Sequence, residues 1–298
     1  MAVKHHHSFL FGGVTVAPTA DKVNRALALI KIVKEFINSR MLPDTELIAR
    51  EYEDYFKIGN TPPRLLSFGL FRFGSKNEQV LWKGGILVDG RLKPLHPELI
   101  REEVPSTWFK AEPTGELQPA PYKPGAYTWV ETVKYAGEFF EVGPLARMLI
   151  NGQYQGGTST MDRIVARTLE TALIADLIEN WLCKLRPGPP PLSQKKTPVR
   201  NSVTALTDAM RGALLHSAEI TGEEIVRYRI ITPSVWNFAP KDRSGKRGPV
   251  ESALIGTKIP SPDLLETILG RIIRSYDPCL SCATHVLEGS KKAKILYF

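Results

Sequence analysis

Near one end of this 298-residue chain, Cys279 and Cys282 stand three positions apart, and His285 follows three positions later. The pair constrains folding because two thiolates at that spacing are presented together to one soft metal ion, with Pro278 fixing the backbone just ahead of them. Read alone, the string is half of a zinc site. A closed site needs four ligands, and the chain has no second Cys-x-x-Cys or His-x-x-x-His, so the fold has to bring further ligands from elsewhere. The third cysteine, Cys183, lies in a Leu-rich stretch and is expected to be a small apolar side chain in a packed helix. Three cysteines, one of them isolated, speak against a disulfide framework and fit a reducing compartment.

Apolar periodicity predicts three main helices. The first runs from Thr19 to about Ser39, where Val23, Ala26, Leu27, Ile30, Val33 and Ile37 are expected to pack as core. The second runs from Thr158 to about Leu185 with an N-cap at Ser159 or Thr160, and Pro187 to Pro191 end it in a polar surface loop through Arg200. The third follows Asp263 and delivers the cysteine loop. Residues 61–142 differ: short apolar runs separated by Pro and Gly indicate a small β-rich insertion with a hairpin at Asp89-Gly90. The expected fold class is α+β, predominantly helical. Its expected divisions are 1–60, the insertion 61–142, a helical core 143–285 and a tail 286–298.

Hydrophobic residues make up 43% of the chain, yet no apolar run is long enough to span a bilayer, so a soluble globular protein is expected. Met1-Ala2-Val3-Lys4 leads into three histidines rather than an apolar signal segment. The net charge of +8 comes from turn-like and terminal clusters, such as Lys241 to Arg247, without interleaved aromatics. Nucleic-acid binding is therefore not expected; an acidic partner surface is an alternative use.

The longer string Asp277-Pro278-Cys279-x-x-Cys282-x-x-His285 resembles the signature that closes the large subunit of nickel-iron hydrogenases. Further strings are similar to that family's motifs in the same order: Phe11-Gly12-Gly13-Val14, Glu141 through Arg147, Arg211-Gly212-Ala213-Leu214, Thr232-Pro233-Ser234-Val235-Trp236-Asn237 and Gly248-Pro249-Val250-Glu251. The family's N-terminal Arg-x-Cys-Gly-x-Cys motif has no counterpart, so the resemblance implies the C-terminal portion of a large subunit. Met210 stands where the family has proline.

The resemblance implies a large-subunit-like helical core and reversible heterolytic cleavage of hydrogen. Nickel would be held by four thiolates, two of them shared with an iron carrying carbon monoxide and cyanide. Cys279 would be a terminal nickel ligand and Cys282 a bridge. Arg211 would approach the open side, with Asp277 as the carboxylate beside it; without the resemblance these read as a surface arginine and a turn. Ser234 would donate to a cyanide, and Leu214 and Pro233 would wall the carbon monoxide. His285 and the Ile230 carbonyl would hold magnesium, and His216 would stand nearby unless it is simply a structural histidine. The implied partners are an iron-sulfur small subunit, a polypeptide supplying the missing cysteine motif, and a maturation protease that removes Val286 to Phe298, a segment equally readable as an edge strand. The alternative is a non-catalytic remnant with a structural or zinc-binding role. Location stays open: cytoplasmic, or exported and membrane-associated through partners.

Overall fold

The computed structural model describes residues 9–10, 13–14, 16–73, 79–112, 117–189, 201–222 and 224–279. After a short pairing of β1 (Phe9–Leu10) with β2 (Gly13–Val14), helix α1 (Ala20–Phe36) starts where the Thr19 hydroxyl accepts a hydrogen bond from the Lys22 N–H. One π-helical turn, Ile37–Met41, carries α1 without a break into α2 (Leu42–Glu51).

The expected β-rich stretch contains β3 (Arg64–Ser67), β4 (Leu70–Phe73), β5 (Gln79–Trp82), β6 (Gly85–Val88), β7 (Arg91–Lys93), β8 (Ile100–Glu103), β9 (Phe109–Ala111), β10 (Leu117–Pro119), β11 (Thr132–Tyr135) and β12 (Glu141–Val142). Four of these form a sheet in the order β12-β3-β6-β7, with β12 parallel to β3. The β6–β7 hairpin turns at Asp89 and Gly90, both at positive φ (48° and 76°), the backbone that a two-residue hairpin with native twist requires.

Helix α3 (Pro144–Ile150) follows, then the 25-residue α4 (Thr160–Lys184). A reciprocal capping box starts α4: the Asp162 N–H donates to the Ser159 hydroxyl, and the Ser159 N–H donates to the Asp162 carboxylate. Strands β13 (Ser202–Ala209), β14 (Gly212–Thr221) and β15 (Glu224–Ile231) form an antiparallel meander. The chain ends its described course with α5 (Pro233–Asn237), α6 (Pro249–Leu254) and α7 (Leu265–Ser275).

Three expectations are corrected. Helix does not predominate: strands and helices share the molecule, and the meander is invisible to apolar periodicity because Glu224–Ile230 are exposed on both faces of β15, so burial imposes no alternation. On α1, Val23, Ile30 and Ile37 are buried, but Val33 is 47% exposed. Cys183 is exposed near the end of α4 rather than packed. Among the described residues no helix is long and apolar enough to cross a membrane.

The largest core cluster joins β-strand residues Leu66, Ile86 and Val133 to Ala213 and Leu215 of β14, Ile231 of β15 and Trp236 of α5. A second packs Ile272 and Tyr276 at the end of α7 against Val250 and Ala253 of α6. The loop after α7 is thereby anchored on one side by α6 and on the other by α4.

Candidate metal centre

Two buried arginines fasten the scaffold beneath the candidate site. Arg147 on α3 is 0% exposed and grips both Glu170 oxygens on α4 at 2.6 and 2.7 Å, Asp208 Oδ2 at 3.1 Å, and the Ala209 and Met210 carbonyls at 3.0 and 2.8 Å. Burial opposes its charge, yet Glu170 and Asp208 more than offset that and raise its pKa. Arg163 on α4 holds Glu141 at 2.8 and 2.9 Å and caps the Tyr276 ring at 3.8 Å. The Thr61 hydroxyl donates to Glu141 at 2.7 Å. The Glu141-to-Arg147 string thus has a charged anchor at each end, and both anchors bind α4.

The middle of that string meets the β13–β14 turn at backbone distance. Gly143 and Gly212 both sit at φ +128°, and a Cβ on Gly212 would lie 2.6 Å from the Gly143 nitrogen. Asn237 of α5 clasps the same place, accepting from the Val142 N–H and donating to its carbonyl, each at 3.0 Å. At Gly248 a Cβ would lie 2.0 Å from the Ala239 oxygen, which fits the Gly-Pro start of α6. Strings far apart in the sequence therefore form one interlock around a single turn.

That turn presents Arg211. Its Nε donates to the Asp277 carbonyl at 2.9 Å and lies 3.1 Å from Asp277 Oδ2. Asp277 takes a left-handed backbone (φ 52°), which turns the chain out of α7 toward Cys279. The Cys279 N–H donates at 3.4 Å, a long bond, to the hydroxyl of Ser234, a buried serine at the start of α5. Pro233 is buried beside it, and Leu214 is half-buried on β14. Arg211, Asp277, Ser234, Pro233 and Cys279 are thus brought together from three segments.

Other expected site residues stand apart or outside view. Ile230 lies on β15 opposite His216 and is 46% exposed. His216 Nδ1 is 2.7 Å from the Tyr228 hydroxyl, so this imidazole is already satisfied by the sheet. Cys282 and His285 lie outside the described residues, as do Gly12 and the tail from Val286. Among the described residues no three His, Cys, Asp or Glu side chains gather as a metal site.

Periodicity does not single out Arg167. Its Nη2 donates to the Ser275 carbonyl at 2.6 Å, while its Nε is a buried donor without a hydrogen-bond partner. It lines a cavity of about 360 Å³ with Asp277, Met210 and Thr171, and burial holds its pKa below the ordinary arginine value. The available signal was charge on an apolar helix: Arg163, Arg167 and Glu170 recur at helical spacing within a Leu- and Ala-rich run.

The donor chemistry fits part of a thiolate centre. Cys279 follows two residues after Asp277, which holds the Arg211 guanidinium, its N–H meets the Ser234 hydroxyl next to Pro233, and Cys282 follows in sequence; a four-thiolate set needs two more sulfurs, and Cys183 is exposed near the end of α4.

Comparisons with known proteins place the chain among hydrogenase large subunits. The model of the nickel-dependent hydrogenase family matches residues 2–157 and 151–285. The periplasmic NiFeSe hydrogenase large subunit of Desulfomicrobium baculatum is 35% identical over 316 residues, covering 95% of this chain and 61% of that protein. The hydrogenase-1 large chain of Escherichia coli K12 is 28% identical, with 94% and 58% covered. A solved structure of the D. baculatum NiFeSe hydrogenase superposes with a TM-score of 0.86 at 34% identity, covering 94% of this chain and 63% of that one. The chain spans about three fifths of the length of these relatives. With the family model matching nearly the whole chain and a relative 35% identical over 95% of it, the chain belongs to the nickel-dependent hydrogenase family.

Proposed function

We propose that this chain is the large-subunit portion of a nickel-iron hydrogenase and works in the reversible heterolytic cleavage of hydrogen. The observation that carries the reading is the Arg211–Asp277–Cys279 cluster, in which the guanidinium is fixed by the carbonyl and carboxylate two residues before the first metal-ligand cysteine. When bound, a nickel-iron pair with carbon monoxide and cyanide on the iron would supply the hydrogen chemistry. Cys279 and Cys282 would be its thiolates from this chain. Arg211 has Nη1 only in a weak 3.5 Å contact with the Met210 sulfur, so its planar fork of donors could turn to the open side of the site, polarise a small ligand and hold charge. Ser234 keeps its hydroxyl proton for an acceptor, because its oxygen already accepts from Cys279. Pro233 excludes water from one wall.

The remaining thiolates would come from a complementing polypeptide, and electrons would leave through an iron-sulfur small subunit. His285 and the Ile230 carbonyl would hold magnesium, and a maturation protease would cut after His285. The exposed Cys183 favours a second reading, a non-catalytic remnant with zinc or no metal, because it adds no third thiolate. Nickel and iron per chain, measured by elemental mass spectrometry on protein purified with its partners from its own host, separate the two. About one nickel per chain with iron in excess supports the hydrogenase reading; zinc or no metal overturns it.

A further inference from the structure

Strand β15 closes the meander with one edge open: among the described residues β14 is its only neighbour. Residues 226–230 border one cavity of about 480 Å³ together with Leu117, Gln118, Glu102 and Glu131. Successive residues of a strand point to opposite faces, so five in a row can border the same space only where it runs along the strand's edge. Such an eight-residue edge offers its N–H and C=O groups to a further strand. Its two faces differ. Val226, Tyr228 and Ile230 make one face apolar, and they are 46–58% exposed. On the other, Arg227 pairs with Glu219 and Arg229 with Glu102. Glu131 then meets the Glu102 carboxyl with only that already paired Arg229 as a cation, and burial followed by this neighbour raises its pKa. A strand added here therefore needs apolar side chains on one face and a cation on the other.

We propose that residues 292–298 of this chain lie along that edge as a fourth strand of the meander. Their sequence, Lys-Ala-Lys-Ile-Leu-Tyr-Phe, puts Ala293, Ile295 and Tyr297 on one face of a strand, and Lys292, Lys294, Leu296 and Phe298 on the other. The first set matches the Val226, Tyr228 and Ile230 face through cross-strand apolar and aromatic contact. The second brings an ammonium to Glu131, so that two carboxyls meet two cations, and turns Leu296 and Phe298 to the side where Leu117 lies. Reach allows it. Cys279 is tied to Ser234, three residues past the end of β15. From there residues 280–291 extend up to about 40 Å, more than the roughly 26 Å that eight strand residues span. The docking stands without the hydrogenase reading; where the chain is cut after His285, as in the proposed maturation, the strand leaves the sheet.

The test uses the full chain, with intact mass confirming that residues 286–298 are present. A photo-crosslinking benzoylphenylalanine replaces the exposed Val226, and cross-linked peptides of the monomeric fraction are identified by mass spectrometry. The expected product joins position 226 to residues 292–298 of the same chain. In parallel, amide hydrogen exchange is followed on the peptide spanning residues 224–231. Ile295→Asp combined with Tyr297→Asp should speed that exchange at least ten-fold while leaving α4 unchanged; Lys292→Glu combined with Lys294→Glu should speed it at least two-fold. Cross-links only to another copy, to another polypeptide or to nothing overturn the proposal, as does unchanged β15 exchange in either variant. Nickel content bears on the hydrogenase reading alone, so the two readings fail separately.

Discussion

Arg147 and Arg211 are joined through one short turn and behave as opposites. Arg147 is fully buried and spends every donor on fixed acceptors, including the carbonyl of Met210. Arg211, the next residue along, is 31% exposed at the side chain, meets the half-exposed Asp277 through Nε, and uses its fork only for a 3.5 Å contact from Nη1 to the Met210 sulfur. The scaffold is buried and fully hydrogen-bonded where it holds the turn and partly exposed where the turn faces outward. The turn is thus held rigidly from behind while Arg211 faces outward from it.

The comparison breaks most readily at Arg147. Arg147→Met should destabilise the chain by about 3–5 kcal/mol, because Glu170 and Asp208 are left as buried uncompensated charges; urea unfolding of the variant against the parent measures this. If the loss is below about 1 kcal/mol, the buried pair is not the anchor described here. Next comes Gly212→Ala, expected to cost about 1–3 kcal/mol at a positive φ with backbone 2.6 Å from the new Cβ. It should also displace Arg211, read as weaker protection of its side chain in arginine-selective chemical labelling.

A smaller effect belongs to the Glu102–Glu131 pair beside Arg229. Burial, then the neighbouring Glu102 carboxylate, push Glu131 from its ordinary 4.5 up to about 7. A carboxyl with a raised folded-state pKa favours the fold most below the unfolded value and loses that contribution as pH rises. Thermal stability should therefore decline between about pH 4.5 and 7, and Glu131→Gln should flatten the curve. An unchanged slope in the variant assigns the pH dependence elsewhere. Smallest for stability is Arg211→Lys, under about 1 kcal/mol for a partly exposed pair. In an assembled, metal-loaded complex the same change should retain nickel yet slow turnover, since charge stays while the planar fork is lost; normal turnover would remove Arg211 from the mechanism.

Much of the helical frame is legible in sequence because it is local. Ser159 and Asp162 specify the start of α4 within four residues, and Asp89-Gly90 specifies a hairpin within two. The meander is not legible, since β15 is exposed on both faces and carries no alternating pattern. Val33 looks like core in sequence because periodicity reports apolar faces and not what covers them. Arg167 escapes notice for the converse reason: an arginine in a helix reads as surface until Ser275 arrives 108 positions later to accept its hydrogen bond.

What the sequence alone determined is the motif set and its order, the capped helices, the tight turn and the cysteine pair after α7, all set by short-range backbone preferences and residue chemistry. Only the tertiary structure decided why those motifs travel together. The Glu141-to-Arg147 string, Gly212 and Asn237 are distant in the chain, and their meaning is a mutual contact: two buried arginines, two glycines at backbone distance and one asparagine clasp behind the turn that carries Arg211. Such contacts depend on burial and on donors meeting acceptors 22 to 95 positions apart, and a linear pattern carries neither.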